Sequence, residues 1–318
     1  TYLNQYLIWY SGGDKVIIIE LNYLRKPIFT LRSLRNTKDH MLPISSAFNK
    51  WCSSAAKRQI DELTYIPYTI TPPTLNEKTQ FNLFTGFLHE YDPNFIVSME
   101  FVQPWLDHIK SVWANHDEII SEYIINWFAN KVQKPHLKNC TTIIIKSLLE
   151  GAGKNIVTDN IAANVLGNQF CRETSDLDRV LSKFNADAEY TVICVLDEIG
   201  TKGAAWAQND KLKAVITRQR QPIEPKGKDA RMAPDYNDYV LFTNNNYIAK
   251  VSESDRRHMA SEGSNEFVGN HNYFKGLLSL SNQASGKHLF HYFCKRDITN
   301  FNPQVLPVSD WKRELKEK

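Results

Sequence analysis

The segment that most constrains the fold runs from Ile143 to Asn155 and reads IIIKSLLEGAGKN. It begins as an apolar run typical of a buried strand, continues through a glycine-containing loop, and leads into residues of helical character. In this order the N–H groups of the loop and the start of the helix converge on one point, which favours phosphate binding. Gly151 and Gly153 allow a ligand to approach the backbone closely, and the Lys154 ammonium suits phosphate oxygens.

This segment predicts a phosphate-binding loop, although it departs from the pattern GxxxxGK[ST] at two positions. Leu148 occupies the position of the first glycine, and Asn155 replaces the hydroxyl residue that normally binds Mg²⁺. An amide oxygen is an acceptable magnesium ligand, so Asn155 stays a candidate for that role. The alternative is an ordinary glycine turn before a helix. We expect the loop contacts to come from Glu150, Gly151, Ala152, Gly153, Lys154 and Asn155.

A second apolar strand delivers two carboxylates at its end. Residues 192–196 read VICVL and are followed by Asp197 and Glu198. Downstream of a phosphate-binding loop, the first carboxylate is expected to hold Mg²⁺ and the second to orient an attacking water. The alternative is a solvated acidic pair at a strand end.

A third strand, near residues 239–243, ends in a cluster of asparagines. Asn244 is the candidate for a polar side chain beside the γ-phosphate, with Asn245 as the alternative and a simple strand-to-turn cluster as the competing interpretation. Farther on, Arg256 and Arg257 suit an arginine finger that stabilises a neighbouring subunit's transferring phosphoryl group. The competing interpretation of the arginines is a surface ion pair with Asp255 or Glu253.

Residues 211–231 form a local basic segment in a chain whose net charge is only +3. They hold seven lysines and arginines against two acidic residues, and their prolines and glycine predict a turn or hairpin. Lysine and arginine contacts supply most sequence-independent affinity for nucleic acid. Lys226 and Lys228 are the first candidates for DNA contact, and Arg218 and Arg220 are alternatives for DNA or for a subunit interface. A solvated basic face is the competing interpretation.

Together these motifs resemble the superfamily III helicases of DNA viruses and mobile elements, in particular the poxvirus-type primase-helicase branch. The resemblance covers about residues 80–260. The motifs that carry it are Glu150-Gly-Ala-Gly-Lys-Asn155, Lys183-Phe-Asn185, Leu196-Asp-Glu198, Lys211-Leu-Lys213, Glu224-Pro-Lys-Gly-Lys228, Phe242-Thr-Asn-Asn245 and Asp255-Arg-Arg257, with Phe81-Asn-Leu-Phe-Thr-Gly86 and Tyr123-Ile-Ile-Asn-Trp-Phe128 upstream.

The resemblance implies an AAA+-like P-loop NTPase, an α/β fold with a parallel sheet, which binds ATP and Mg²⁺ and translocates 3′→5′ on single-stranded or forked DNA. It implies a homo-oligomer, a hexameric ring, with ATP between protomers. In many relatives a primase domain precedes the helicase. A hairpin between the carboxylate strand and the asparagine strand lines the pore in such rings, which again points to Lys226 and Lys228.

Composition shifts suggest four regions: a small N-terminal α+β unit with a linker (1–80), a helical collar (81–138), the ATPase core (139–262) and a C-terminal helical lid (263–318). Within the first region, residues 45–63 are expected to be helical, with Phe48, Trp51 and Ile60 in its core. Asp117 is expected to cap a collar helix, and the chain is expected to end in a solvated tail starting at Lys312.

The five cysteines are scattered and show no CxxC spacing, which favours a reducing, intracellular compartment such as the host cytoplasm or a viral replication site. We expect no membrane association, because no apolar run approaches the length of a membrane span. Two rival functions stay open. One is a P-loop motor that packages DNA without unwinding it, and the other is a nucleotide-binding assembly scaffold with negligible turnover.

Overall fold

The chain divides into two compact units, Thr1–Gly86 and Phe87–Lys318. The structure, a computed structural model, describes residues 7–10, 17–22, 28–33, 45–147, 149–181, 188–197, 209–224, 230–244 and 255–317. Among the helices described, none combines the length and the apolar character that crossing a bilayer requires.

The first unit is built on a four-stranded sheet. Its elements are β1 (Leu7–Tyr10), β2 (Ile17–Asn22), β3 (Ile28–Ser33), α1 (Ser45–Ser53), β4 (Gln59–Ile60), β5 (Glu62–Thr64) and β6 (Gln80–Asn82). The sheet order is β3-β2-β1-β4, with β1 antiparallel to β2 and parallel to β4. Phe48 and Trp51 of α1 pack with Leu7, so these two predicted core positions are confirmed.

The helix predicted over residues 45–63 ends earlier than expected, at Ser53. Ile60 is buried as predicted, but it lies on β4 rather than on a helix. The reason is the free edge of β1, which pairs Trp9 with Gln59 and Tyr10 with Ile60. The proline-containing stretch from Thr64 to Asn82 is predicted to be a linker or an extended crossing segment. It connects β5 to β6 within the first unit, since these two strands pair in parallel.

The second unit is organised around a five-stranded parallel sheet. The strands of the second unit, five of which form this sheet, are β7 (Thr142–Lys146), β8 (Cys171–Thr174), β9 (Ile193–Leu196), β10 (Arg220–Ile223), β11 (Arg231–Pro234), β12 (Asp238–Thr243) and β13 (His258–Glu262). The central order is β13-β7-β12-β9-β8, and every neighbouring pair is parallel. The predicted α/β core with a parallel sheet is therefore confirmed. Strands β10 and β11 form a separate antiparallel pair, which confirms the predicted hairpin.

Two long helices precede the sheet. Helix α2 (Met99–His108) continues into a wide π-type turn, Ile109–Trp113, and α3 (Glu118–Gln133) follows. The predicted cap is confirmed, since the Asp117 carboxylate accepts hydrogen bonds from the N–H groups of Ile119 and Ile120.

The other helices are α4 (Ile156–Asn160), α5 (Leu177–Leu181), α6 (Asn209–Thr217), α7 (His271–Ser279), α8 (Gln283–Lys295) and α9 (Asp310–Glu317). Helix α4 continues into a second wide turn, Ile161–Leu166, and α8 packs against this turn as well as against α2 and α3. Contact is closest at Gly286, where an added Cβ atom would lie 2.0 Å from the carbonyl oxygen of Asn164.

The predicted solvated tail is wrong at its start. Trp311 and Lys312 on α9 are buried, and the Lys312 ammonium donates a 2.6 Å hydrogen bond to the carbonyl oxygen of His258. The ammonium also lies 3.5 Å from the Asp255 carboxylate, so its charge is compensated although it is removed from water. The sequence alone does not reveal these partners, because His258 and Asp255 lie more than fifty residues before Lys312.

Candidate nucleotide-binding site

The loop after β7 holds two glycines in backbone conformations that other residues rarely adopt. Gly151 and Gly153 have φ angles of +77° and +81°, in the left-handed region that favours glycine. The loop borders a cleft of about 310 Å³, lined by Leu149, Glu150, Gly151, Ala152, Gly153, Lys154, Asn155, Ile156 and Asp197. All six predicted loop residues therefore face one cavity. Leu148 lies outside the described residues.

The ends of three neighbouring strands bring Lys154, Asp197 and Asn244 together. Strand β12 lies between β7 and β9, so Asn244, directly after β12, stands between the loop and the carboxylate strand. The Lys154 ammonium donates to Asn244 Oδ1 over 3.1 Å and lies 3.8 Å from Asp197 Oδ1. Residues far apart in sequence thus meet at the carboxyl edge of the sheet, where open α/β sheets bind ligands. Glu198 and Asn245 lie outside the described residues.

Asn155 and Asp197 form the part of the site that suits a metal ion. The Asn155 amide nitrogen donates to Asp197 Oδ2 over 2.6 Å. Asn155 Oδ1 and Asp197 Oδ1 are buried and accept no hydrogen bond from the described residues. A buried oxygen that accepts no hydrogen bond is costly, and two such oxygens suit a small hard cation such as Mg²⁺, which selects oxygen ligands.

Other carboxylates increase the negative charge beside this pair. Burial raises the pKa of Asp159, and the charge of Asp197 raises it further. Burial likewise raises the pKa of Glu173, with added contributions from Asp159 and Asp197. A bound cation would relieve this repulsion.

The structure also places at the loop four residues that the sequence patterns did not single out for this site. His108 Nε2 lies 3.0 Å from the Gly153 carbonyl oxygen, and Trp113 Nε1 donates to the Lys154 carbonyl over 2.9 Å. Tyr273 contacts His108, and the Phe274 ring lies against Gly153. Apolar residues recur with a helical period over residues 98–134, which predicts that Trp113 is buried, and this is confirmed. No local signal reveals which partner its indole N–H reaches.

Arg256 and Arg257 lie near the amino ends of the parallel strands, whereas the loop lies at their carboxyl ends. The Arg257 carbonyl accepts a hydrogen bond from the Thr142 N–H, at the start of β7, whereas the loop follows the end of β7. A five-residue strand spans roughly 16 Å. These arginines are therefore about one strand length from the cleft of their own chain.

The preceding residue, Asp255, does not serve as the partner of these side chains. Its carboxylate lies 2.9 Å from His258 Nδ1 and 3.5 Å from the Lys312 ammonium. Arg256 is exposed, and the Nε of Arg257 is buried without a hydrogen-bond partner among the described residues. This arrangement disfavours an ion pair with Asp255, and Glu253, the other proposed partner, lies outside the described residues.

The four basic candidates for DNA contact fall in different places. Arg218 Nε donates to the buried Asp235 carboxylate over 2.7 Å. Burial alone would raise the pKa of Asp235, but the cations of Lys138 and Arg218 hold that pKa below its usual range. Arg218 therefore has a structural partner at the base of the β10–β11 hairpin. Arg220 is exposed on β10, and Lys226 and Lys228 lie outside the described residues.

Comparisons with known proteins give a family and a set of similar structures. Residues 145–257 match DUF5906, a family of unknown function. That range begins in β7 and ends at Arg257, so it spans the loop, the carboxylate strand, the hairpin and the arginines. No curated protein matches the chain.

Solved structures of the NrS-1 C-terminal region are similar over nearly the whole chain. An A-form apo structure has a TM-score of 0.77 at 16% identity and covers 99% of this chain and 73% of that one. Another apo structure has a TM-score of 0.75 at 16% identity, with coverages of 98% and 71%. A further A-form structure gives 0.73 at 18% identity, again with 98% and 71%. The chain therefore shares the fold of the NrS-1 C-terminal region.

Proposed function

We propose that this chain is an ATP-hydrolysing motor that unwinds DNA, a ring-forming helicase of the superfamily III, poxvirus-type primase-helicase kind. The observation that carries the proposal is that the Lys154 ammonium contacts both Asn244 and Asp197. Lys154 itself ends a loop in which two glycines have positive φ angles. An isolated glycine turn does not require a cation, an amide and a carboxylate from three adjacent strands. A site for transferring a phosphoryl group does.

Each residue has a defined part in the proposed reaction. The loop N–H groups receive the phosphates of ATP, and the Lys154 ammonium moves from Asn244 and Asp197 to the β- and γ-phosphate oxygens. Asn155 and Asp197 hold Mg²⁺, which when bound offsets the charge that develops on the phosphate oxygens. Glu198 orients the attacking water, and Asn244 stays beside the γ-phosphate.

The arginines supply the reason for a ring. Because Arg256 and Arg257 lie about a strand length from their own cleft, an arginine finger must serve the cleft of a neighbouring protomer. This supports a homo-oligomer with shared sites, for which a hexamer is proposed from the resemblance. Single-stranded DNA would then contact the β10–β11 hairpin through Lys226 and Lys228, or through the exposed Arg220 on β10. A primase domain upstream is the partner that the same resemblance suggests.

The first test measures ATP hydrolysis with and without single-stranded DNA. Wild-type protein is expected to show DNA-stimulated turnover. Lys154→Ala removes the phosphate-binding cation, and Glu198→Gln removes the water-orienting carboxylate, so each is expected to lower turnover a hundredfold or more. Lys78→Ala, which removes an exposed lysine of the first unit, is the control and should retain wild-type turnover.

Strand displacement on a forked DNA then separates unwinding from other motor functions. Unwinding that requires ATP and is lost in Lys154→Ala supports the helicase. Turnover without displacement would favour a packaging motor. Absence of turnover in wild-type rings would favour a nucleotide-binding scaffold.

A further inference from the structure

A phosphate-binding loop has a requirement that concerns its carbonyl groups. When successive N–H groups turn toward a ligand, the carbonyl groups between them turn away from it. Those carbonyl groups still need hydrogen-bond partners if they are buried. In this chain the carbonyls of Gly153 and Lys154 find such partners in the helical segment that precedes the sheet.

The first partner is His108, a fully buried residue at the end of α2. Because a carbonyl oxygen only accepts, His108 must donate from Nε2 to Gly153, over 3.0 Å. Its Nδ1 then accepts from the Tyr273 hydroxyl over 2.8 Å. Burial lowers the pKa of His108 to about 4, so the ring is neutral near pH 7 and carries one N–H. These bonds fix the tautomer.

The second partner is Trp113, whose side chain is completely buried. Its indole N–H donates to the Lys154 carbonyl over 2.9 Å. The same indole meets the ring of Phe242 edge-on, with centroids 5.5 Å apart. Phe242 lies on β12, two residues before Asn244. Trp113 therefore contacts both Lys154, which supplies the ammonium of the site, and β12, the strand that leads to Asn244.

The loop is closely packed at Gly153, whereas nothing lies within 4 Å of a Cβ atom added to Gly151. A Cβ atom added to Gly153 would lie 2.5 Å from the ring of Phe274 and 3.1 Å from the His108 ring. The loop is thus held by two directed hydrogen bonds and by a ring packed against its glycine.

We propose that His108 and Trp113 are positioning residues for nucleotide binding, which hold the carbonyls of Gly153 and Lys154 outward so that the loop N–H groups face the phosphates. The inference rests on the proposed function, since it concerns the same cleft. It adds that the collar segment, residues 108–113, prepares the phosphate site before any nucleotide arrives.

The indole contact is tested with a matched pair of variants. Trp113→Phe removes the N–H that serves the loop. Trp127→Phe removes an equally buried indole N–H that donates instead to Thr141 Oγ1 over 3.1 Å, before the start of β7. Calorimetric titration with ADP and with inorganic pyrophosphate is expected to show roughly threefold to tenfold weaker binding for Trp113→Phe and unchanged binding for Trp127→Phe.

The histidine contact is tested by conservative rescue. His108→Ala is expected to weaken both ligands by a similar factor, and His108→Gln, which keeps a side-chain N–H donor, to recover part of the loss. His291→Gln is the control, because His291 is also buried and contacts backbone atoms of Lys287 and Asp92, away from the loop. Amide hydrogen exchange should become faster at Gly151 to Lys154 in His108→Ala and Trp113→Phe, without ligand, and stay unchanged in the controls.

The outcomes separate this inference from the proposed function. If wild-type protein binds both ligands and Trp113→Phe and His108→Ala bind them as tightly, with unchanged exchange in the loop, the positioning role is wrong and the nucleotide site stands. If Trp127→Phe and His291→Gln weaken binding equally, the effect is general destabilisation and the inference again fails. If wild-type protein binds neither ligand, the proposed function itself fails.

Discussion

Asn155 shows how one residue changes the chemistry of a phosphate-binding loop. A serine or threonine hydroxyl at this position offers one oxygen that can both donate and accept. The longer amide divides these tasks between two atoms: its nitrogen donates to Asp197, and its oxygen remains without a hydrogen-bond partner among the described residues. The departure from the usual pattern thus keeps an oxygen available beside the carboxylate, which is what the proposed magnesium site needs.

His108 gives the stability of the protein a specific pH dependence. Its folded pKa of about 4 lies below the ordinary value of 6.5, so the unfolded chain takes up this proton first as the pH falls. The contribution is fully present above pH 6.5 and is lost toward pH 4. Between pH 7 and pH 5, wild-type protein should lose about 2 kcal/mol of unfolding free energy through His108.

Urea unfolding at the two pH values, compared with His108→Gln, isolates this effect. The variant lacks the titrating ring, so its loss of stability between pH 7 and pH 5 should be smaller than that of wild type by the same amount. Identical pH dependence in the two proteins would show that His108 does not carry a lowered pKa.

At the scale of elements, the sequence predicts what depends on local pattern and misses what depends on distant partners. The runs that became β7, β9 and β12 are apolar and end in polar residues, so both their burial and the meeting of their ends follow from periodicity and parallel pairing. The capping by Asp117 is equally local. The early end of α1 is not a local effect, because residues 59–60 pair with the edge of β1. The contact of Trp113 with the loop is also invisible, since it joins elements that only the fold brings together.

The packing of α8 against the turn that continues α4 provides a paired prediction. Gly286→Ala places a methyl group 2.0 Å from the Asn164 carbonyl oxygen, so α8 must shift away from the turn at residues 161–166. We expect it to lower the unfolding free energy by about 1–3 kcal/mol, as overpacking does. Gly276→Ala on α7 meets nothing within 4 Å and should raise it by roughly 0.5–1 kcal/mol.

Thermal and urea unfolding of the two variants measure this difference. Both substitutions add the same methyl group to a helical glycine, so helix propensity alone predicts the same sign. Stabilisation by both would show that α8 does not approach the turn as closely as described.

At the scale of the whole molecule, the proposed activity belongs to pairs of protomers rather than to one chain. The cleft lies at the carboxyl ends of the parallel strands, and the arginines lie at their amino ends. Each protomer would therefore offer one half of a site at each end of the strands. Turnover should therefore depend on protein concentration below the assembly threshold. The fold of the single chain follows from its sequence patterns far more directly than this assembly does, because the interface depends on surfaces that no periodicity marks.

Mixing two inactive variants tests the sharing of sites. Lys154→Ala damages the cleft, and the double variant Arg256→Ala/Arg257→Ala damages the finger, so each alone should hydrolyse little ATP. In an equimolar mixture that assembles at random, roughly a quarter of the interfaces carry neither defect. We expect ATP turnover to recover toward that fraction of wild type. No recovery, with mixed assembly verified by native mass spectrometry, would contradict a shared site, and the two single arginine variants then identify the finger.

The separation of Arg256 from Lys154 along the sheet also limits the symmetry of any active assembly. A dimer with a two-fold axis uses the same patch on both chains, so it can complete sites only if the cleft and the arginines of one chain both reach that patch. Head-to-tail contacts join two different surfaces, so they can pair a cleft with arginines that lie a strand length away, and they either close into a ring or continue as a filament. In a head-to-tail assembly, the rotation that relates one chain to the next therefore determines whether the ring closes. A substitution that alters this rotation slightly would produce open helical polymers in which every internal site is complete but no central pore is closed.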